Sequence, residues 1–229
     1  MAGLVAVTGG ASGIGAAVAQ AVRAAGGQAA VADLNASEGA RRLDVTDEAA
    51  VSEWMEGLHG LTGLVCAAGI SANTPSLTAA PATFRRVLDV NVTGSFLAAQ
   101  AAARRMEKGG SIVFIASVSG LVGMADRVAY SASKAAVINM AAAMAVDLAP
   151  RGIRVNAICP GPVETPMVRE LHDAATRAAW HARVPLRRYA EPEEIAQMAL
   201  FLLDPARSGY VTGQAIAVDG GFSTAGLMP

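Results

Sequence analysis

Aromatic side chains are scarce in this sequence, at 4% of 229 residues, and lysine occurs only twice, as Lys108 and Lys134. With so few large rings, the core must be filled by small aliphatic groups. The chain is 53% hydrophobic and rich in alanine and glycine, which suits close contact between helices and sheet. Cysteine is nearly absent too. Cys66 and Cys159 both lie in apolar, strand-like stretches and read as reduced core thiols, which excludes a disulfide framework or zinc spacing. No metal site is expected. The net charge is −1 with no block of one sign, so neither nucleic acid nor an anionic membrane is an implied partner. The N-terminus lacks a basic region, and no uncharged apolar run approaches the ~18 residues of a membrane helix. A cytoplasmic protein is the expectation.

Strand-like and helical segments alternate along the chain. "GLVAVTGG", "QAAVADL", "RRLDV", "LTGLVCAAG", "GSIVFIAS", "GIRVNAICPG" and "GQAIAVDGG" read as strands. Helical periodicity falls on Gly13–Ala25, "EAAVSEWMEGL", a long run from Ala82 to Met106, Val128–Ala149 and "EPEEIAQMALFLLD". Apolar strands without alternation, separated by helices, indicate a parallel sheet covered on both faces. The fold class is therefore α/β: a single doubly wound, Rossmann-type sheet of about seven strands, spanning residues 1–229 as one domain.

The segment "AVTGGASGIGAAVA" follows the first strand and opens the first helix. Gly9, Gly13 and Gly15 let the backbone turn sharply, so a pyrophosphate can approach the helix N-terminus, where free N–H groups and the helix dipole favour anions. Such turns also serve purely structural ends; the position after the first strand is what favours nucleotide binding. Asp33 ends the second strand, 18 residues after Gly15, near the offset at which a carboxylate meets the adenosine ribose. It would accept from a 2′-hydroxyl and repel a 2′-phosphate, which favours NAD over NADP, although Arg41 and Arg42 stand nearby. Asp44 could bond the adenine amino group or simply start the next turn.

Tyr130 and Lys134, in "YSASK", stand four apart and would share one helix face. Bringing a phenol from a pKa of ~10 to near 7 takes ~4 kcal/mol, which a unit charge ~4 Å away supplies at an effective dielectric of ~20. With so few tyrosines and lysines, the chance of this spacing arising somewhere in the chain is only about 3%.

Several motifs in order resemble the short-chain dehydrogenase/reductase family over nearly the whole chain: "TGGASGIG", "NVTG", "IASVSG", "YSASK", "PGPVET" and "VDGG". Ser117 stands 13 residues before Tyr130, as that family expects. With Asp33 pointing to NAD as the cofactor, the resemblance implies a catalytic set of Asn91, Ser117, Tyr130 and Lys134. Tyr130 would be the acid–base, Lys134 would lower its pKa and hold the nicotinamide ribose, and Ser117 would bond the substrate oxygen. Asn91 would hold a water linking Lys134 to solvent. The cofactor turn would be Gly9, Ser12, Gly13, Ile14 and Gly15. Asp33, Asp44 and Val45 would meet the adenosine, and Ala68 and Gly69 would lie beneath the cofactor. Pro160, Gly161, Val163 and Thr165 would flank the nicotinamide, beside Asn91, Tyr130 and Lys134. The resemblance also implies a homotetramer built on the two long helices and the last strand.

Two departures stand out. Where the family has an asparagine at the end of strand four, this chain has "CAAG", which puts local rigidity in doubt. "NASEGAR", between strands two and three, is too short for a full helix, so the adenine side of the sheet is expected to be more open. Residues 164–191 occupy the place of a substrate lid. Its Met167, Leu171, Trp180 and Val184 could form an apolar face, while His172 and His181 read as solvent-facing and Arg169 as a solvated helix residue. "LVGM", Leu121–Met124, is expected to line the pocket. The substrate is then a ketone or secondary alcohol with some apolar surface. The rivals are a 3-oxoacyl-carrier-protein reductase, a non-catalytic NAD(H) sensor, and a methyltransferase, which would not need the Tyr–Lys pair.

Overall fold

Along each central strand, alternate side chains enter two different cores, and both cores are apolar. In Gly110–Ile115 (β5), Ile112 and Phe114 face one core while Val113 and Ile115 face the other. That two-sided burial is why the strands read as unbroken apolar runs. Each fully buried Ile, Leu or Phe contributes about 1.5–3 kcal/mol over its exposed state.

The computed structural model describes residues 3–35 and 39–225. Its other strands are Leu4–Thr8 (β1), Gln28–Asp33 (β2), Ala40–Arg42 (β3), Leu61–Cys66 (β4), Ile153–Pro160 (β6) and Ala215–Val218 (β7). All pair in parallel, in the order β3-β2-β1-β4-β5-β6-β7. Glu48–Glu56 (α2), Gly94–Arg105 (α4) and Val128–Leu148 (α5) cover one face; Gly13–Ala24 (α1) and Pro192–Leu203 (α8) cover the other. The expected doubly wound sheet is present. Its strand order reverses between β1 and β4, which opens a crevice at the carboxyl ends of the strands. The remaining helices are Pro81–Leu88 (α3), Pro166–Leu171 (α6), Ala174–Arg183 (α7) and Pro205–Ser208 (α9).

Two expectations need adjustment. The run from Ala82 to Met106 is two helices, α3 and α4, joined by a π-helical turn over Asp89–Thr93. A π turn inserts an extra residue and shifts the helical register, and such turns concentrate at functional sites. Here it carries Asn91 into the interior, 1% exposed. The third strand is shorter than expected, at Ala40–Arg42. Of the "NASEGAR" segment, residues 36–38 lie outside the described residues, and Gly39 leads directly into β3. The helix Val128–Arg151 is long and apolar enough to cross a membrane by length and composition alone. It packs on the sheet through Val137, Ala141 and Ala145, and its outer side, with Ala132, Ala135 and Ala143, is exposed.

Candidate active site

A cavity of about 390 Å³ runs along the carboxyl ends of the strands. Its floor is backbone. Gly9 sits at φ +67°, and a Cβ there would come within 2.5 Å of the Ala68 amide nitrogen, so no side chain fits. Gly13 is also left-handed, at φ +52°. Ser12 is the N-cap of α1 but makes no capping bond with its side chain, and the first turn of α1 holds no acidic residue. The N–H groups of that turn therefore lack a side-chain acceptor and stand beside the cavity. Ser12, Gly13, Ile14 and Gly15 all line it. These residues fit a dinucleotide pyrophosphate by chemistry and by shape.

Asp33, at the end of β2, accepts from the Ala11 amide at 3.1 Å and the Asn35 amide at 2.9 Å, which fixes its carboxylate at one end of the cavity. Arg41 is paired with Glu53 at 2.8 Å, and neither Arg41 nor Arg42 lines the cavity. The cation that lines the cavity near Asp44 is Arg86, 4.0 Å away and not foreseen from sequence. Asp44 accepts from the Thr46 amide at 2.9 Å and its hydroxyl at 2.7 Å, bonds that hold its carboxyl below the usual range. It thus starts the turn into α2 and lines the cavity beside Val45.

The strand end lacking an asparagine is held by other means. Ala67 donates to the Thr8 carbonyl at 3.1 Å, and the buried Cys66 thiol points to the Ser95 carbonyl at 3.8 Å. Asn91 then clamps the next residue: its Oδ1 accepts from the Ile70 amide at 2.8 Å and its Nδ2 donates to the Ile70 carbonyl at 3.0 Å. Nδ2 also donates to Ser133 Oγ at 2.9 Å, tying the strand end to α5. Asn91 alone among the expected site residues does not line the cavity.

Ser117, Tyr130 and Lys134 converge at the opposite end from Asp33. Lys134 Nζ donates to the Ile115 carbonyl at 2.8 Å and lies 5.6 Å from the centre of the Tyr130 ring. Burial lowers its pKa to about 8. Burial raises that of Tyr130, and the influences that oppose the rise are Ser117 and then Arg127. The expected pull from Lys134 is thus not among the leading ones here: with its own pKa lowered to about 8, the ammonium loses its charge before the raised Tyr130 phenol titrates. Pro160, Gly161, Val163 and Thr165 complete this end, with Thr165 Oγ1 capping α6 through the Val168 amide at 3.3 Å.

A family model described as Enoyl-(Acyl carrier protein) reductase matches residues 9–223. The chain belongs to the short-chain dehydrogenase/reductase family. It is 42% identical over 205 residues to "Inactive 2-(S)-hydroxypropyl-CoM dehydrogenase 2" of Xanthobacter autotrophicus, covering 85% of this chain and 89% of that one. It is 40% identical over 238 residues to "Cis-4-hydroxycyclohexanecarboxylate dehydrogenase" of Sinomonas cyclohexanicum, covering 95% of each. A short-chain type dehydrogenase/reductase from Mycobacterium marinum superposes with a TM-score of 0.90 at 38% identity, covering 97% of this chain and 96% of the other. As a member of this family, the protein is an oxidoreductase that works with a nicotinamide dinucleotide.

The substrate side of this dehydrogenase/reductase was the less legible one. A second cavity of about 70 Å³ opens beside Ser117 and Tyr130 and is bounded by Met167, Val168, Leu171 and Trp180. The "LVGM" segment lines neither cavity; Leu121 is 41% exposed, and the α6 side chains take the place expected for it. Val184 is buried, and Trp180 packs on Phe222 with ring centres 4.8 Å apart. His181 is exposed as expected, but His172 is not: it is 6% exposed and lines the small cavity. Arg127 Nη2 donates to His172 Nε2 at 3.1 Å, so Nδ1 carries the proton and donates to Tyr189 Oη at 3.0 Å. Trp180 stacks on the same ring. Burial, then Arg127, keeps the His172 pKa below its ordinary value.

Proposed function

We propose that this enzyme transfers hydride between NAD(H) and a secondary alcohol or its ketone. The observation that carries the reading is one cavity with Asp33 at one end and Ser117, Tyr130 and Lys134 at the other. The cofactor, when bound, supplies the hydride acceptor or donor. Tyr130 holds the proton that the carbonyl oxygen gains, or takes the one the alcohol loses. Ser117 donates to that oxygen as charge grows on it. Lys134 keeps a positive charge beside the phenol and is placed to hold the nicotinamide ribose. Asn91, fixed between Ile70 and Ser133, holds strand end and helix in register; in this reading a water held by Asn91 links Lys134 to solvent. Asp33 favours NAD over NADP, because a 2′-phosphate would face a carboxylate. Residues 164–191 act as the substrate lid. The relative named for a hydroxycyclohexanecarboxylate supports a secondary alcohol as substrate.

Two free, buried thiols suit a reducing, cytoplasmic setting. The exposed face of α5, with Ala132, Ala135, Asn139 and Ala143, and the outer side chains of β7, Ala215 and Ala217, suit a homotetramer. Light scattering at micromolar concentration is expected to give a tetramer mass, and a monomer mass would refute it.

A second reading has its own support, since one relative is named inactive. A non-catalytic sensor would bind NADH and turn nothing over. The test follows NADH and NADPH oxidation with a panel of ketones, in wild type and Tyr130→Phe. Wild type is expected to prefer NADH, and the variant to bind it yet lose about 10²–10⁴ in rate. Equal rates in the two proteins would sink the role of Tyr130; NADH binding without turnover in both would favour the sensor. A carrier-protein reductase would announce itself by NADPH preference.

A further inference from the structure

The small cavity next to Tyr130 carries one charge to which the hydride and proton transfers proposed above assign no contact. Arg127 is the N-cap of α5, a helix with no acidic residue in its first turn. A cation is out of place there, since the helix dipole already makes that end positive. None of the ion pairs among the described residues involves Arg127. Its polar partner is the neutral His172 ring, which accepts a hydrogen bond and neutralises nothing. Its guanidinium also lies 5.9 Å from the centre of the Tyr130 ring. No carboxylate is found among the described residues that line this cavity.

The placement is fixed from two sides. Asp126, just before it, is left-handed at φ +57°, and its carbonyl accepts from the Thr74 amide at 2.7 Å. Thr74 Oγ1 in turn accepts from the Ala129 amide at 3.1 Å. These bonds pin the chain where α5 begins. From the lid side His172 holds Nη2, and Tyr189, 5% exposed, holds His172. Arg177 lies over the Tyr189 ring at 4.8 Å and keeps it in place. A half-buried guanidinium is thus held at the small cavity by a helix cap and a histidine, without a counter-ion among the described residues.

We infer that Arg127 is the receptor for an oxyanion on the substrate, so that the enzyme acts on a short hydroxy acid or keto acid, its acid group a carboxylate or a sulfonate. This rests on the oxidoreductase reading above and deepens it. The guanidinium pairs with the acid group in the small cavity while the reacting carbon sits at Tyr130 and Ser117. His172 is a positioning residue: it orients the fork of Arg127 and couples its occupancy to the α6–α7 segment. The small volume favours acids with few carbons between the two groups.

The test separates binding from turnover. Of the two tryptophans, Trp54 is on the buried face of α2 whereas Trp180 lines the small cavity, so protein fluorescence reports occupancy of that cavity. With NAD⁺ present, acetoacetate, levulinate, a keto-sulfonate of matching length and the methyl esters of the two acids are titrated. Wild type is expected to bind at least one acid about tenfold more tightly than its uncharged counterpart. Arg127→Met should bring that ratio near one, and Arg127→Lys should restore part of it in a protein of unchanged melting temperature. His172→Phe should reduce the ratio, and His172→Gln, which keeps an acceptor for Arg127, should recover it; a merely structural role would not move this ratio. The carboxylates and the sulfonate, compared at equal length, say which oxyanion is meant. Esters binding as well as acids in wild type, no binding by any acid, or an unchanged ratio in Arg127→Met would each overturn the inference, even if neutral ketones are reduced. Acid binding through Arg127 without NADH oxidation would instead leave the anion site standing and remove the oxidoreductase reading.

Discussion

The two halves of the cleft are built from different materials. Around the glycine turn the surface is backbone: left-handed glycines, the open first turn of α1 and strand ends with no room for a Cβ. Around the small cavity it is side chain: Arg127, His172 and Trp180, with Tyr189 behind them. A backbone surface presents the same N–H groups whatever the neighbouring residues are, so it suits an invariant ligand. A side-chain surface can be changed one residue at a time, so it suits the part of the reaction that differs between enzymes of one fold.

The largest effect should come from breaking the backbone half. Gly9→Val would place a branched side chain at φ +67° and into the Ala68 backbone, with nothing able to yield. NADH affinity, read by fluorescence titration, is expected to fall by about a hundredfold or more, with a lowered melting temperature. Near-normal NADH binding would mean that the cleft does not depend on this close approach.

Lys134 stands on the border between the halves, and its test sharpens the contrast by showing what burying a charge costs. Its pKa in the folded protein is about 8, against 10.5 for an ordinary lysine. Below pH 8 it is charged in both states and its burial opposes folding in full. Between about 8 and 10.5 the unfolded chain still binds a proton that the folded one has released, so stability rises with pH across that window, by about 3 kcal/mol in all. Lys134→Met lacks this rise. Tyr130 titrates in both proteins and drops out of the difference. Denaturant unfolding at a series of pH values should therefore show wild type gaining about 3 kcal/mol on the variant from pH 8 upward. A constant difference would contradict a buried ammonium.

The same contrast explains what could be read in advance. Gly9, Gly13 and Gly15 lie within one turn of chain, and Asp33 and Tyr130–Lys134 are fixed by strand length and helix pitch, so local spacing reveals them. His172 was misjudged because its burial depends on Arg127, 45 positions away, and on Tyr189, 17 away. No periodicity within α6 reports either neighbour. Arg127 itself looks like an ordinary polar residue before a helix; only the absence of an acidic partner among the described residues marks it out. The inward turn of Asn91 was hidden for another reason. A π turn is a register shift that tertiary contacts sustain, here the bonds to Ile70 and Ser133, and it leaves no mark in a pattern of apolar positions.

The smallest effect is expected where side chains merely hold the proposed lid. Glu164 receives a forked pair of bonds from Arg177, at 2.6 and 3.1 Å, and its carboxyl is held below the usual range chiefly by that guanidinium. The pair joins the segment after β6 to α7, and Arg177 in turn covers Tyr189. Both side chains remain partly solvated, so the link is worth about 1 kcal/mol or less and is screened by salt. Glu164→Gln should raise KM about two- to threefold at low ionic strength with kcat nearly unchanged, a change of that size in free energy. Raising the salt should lift the wild-type KM toward that of the variant while moving the variant less. If Glu164→Gln instead cost as much as Gly9→Val, the lid would be part of the rigid frame, and the division between an invariant backbone half and an adjustable side-chain half would fail.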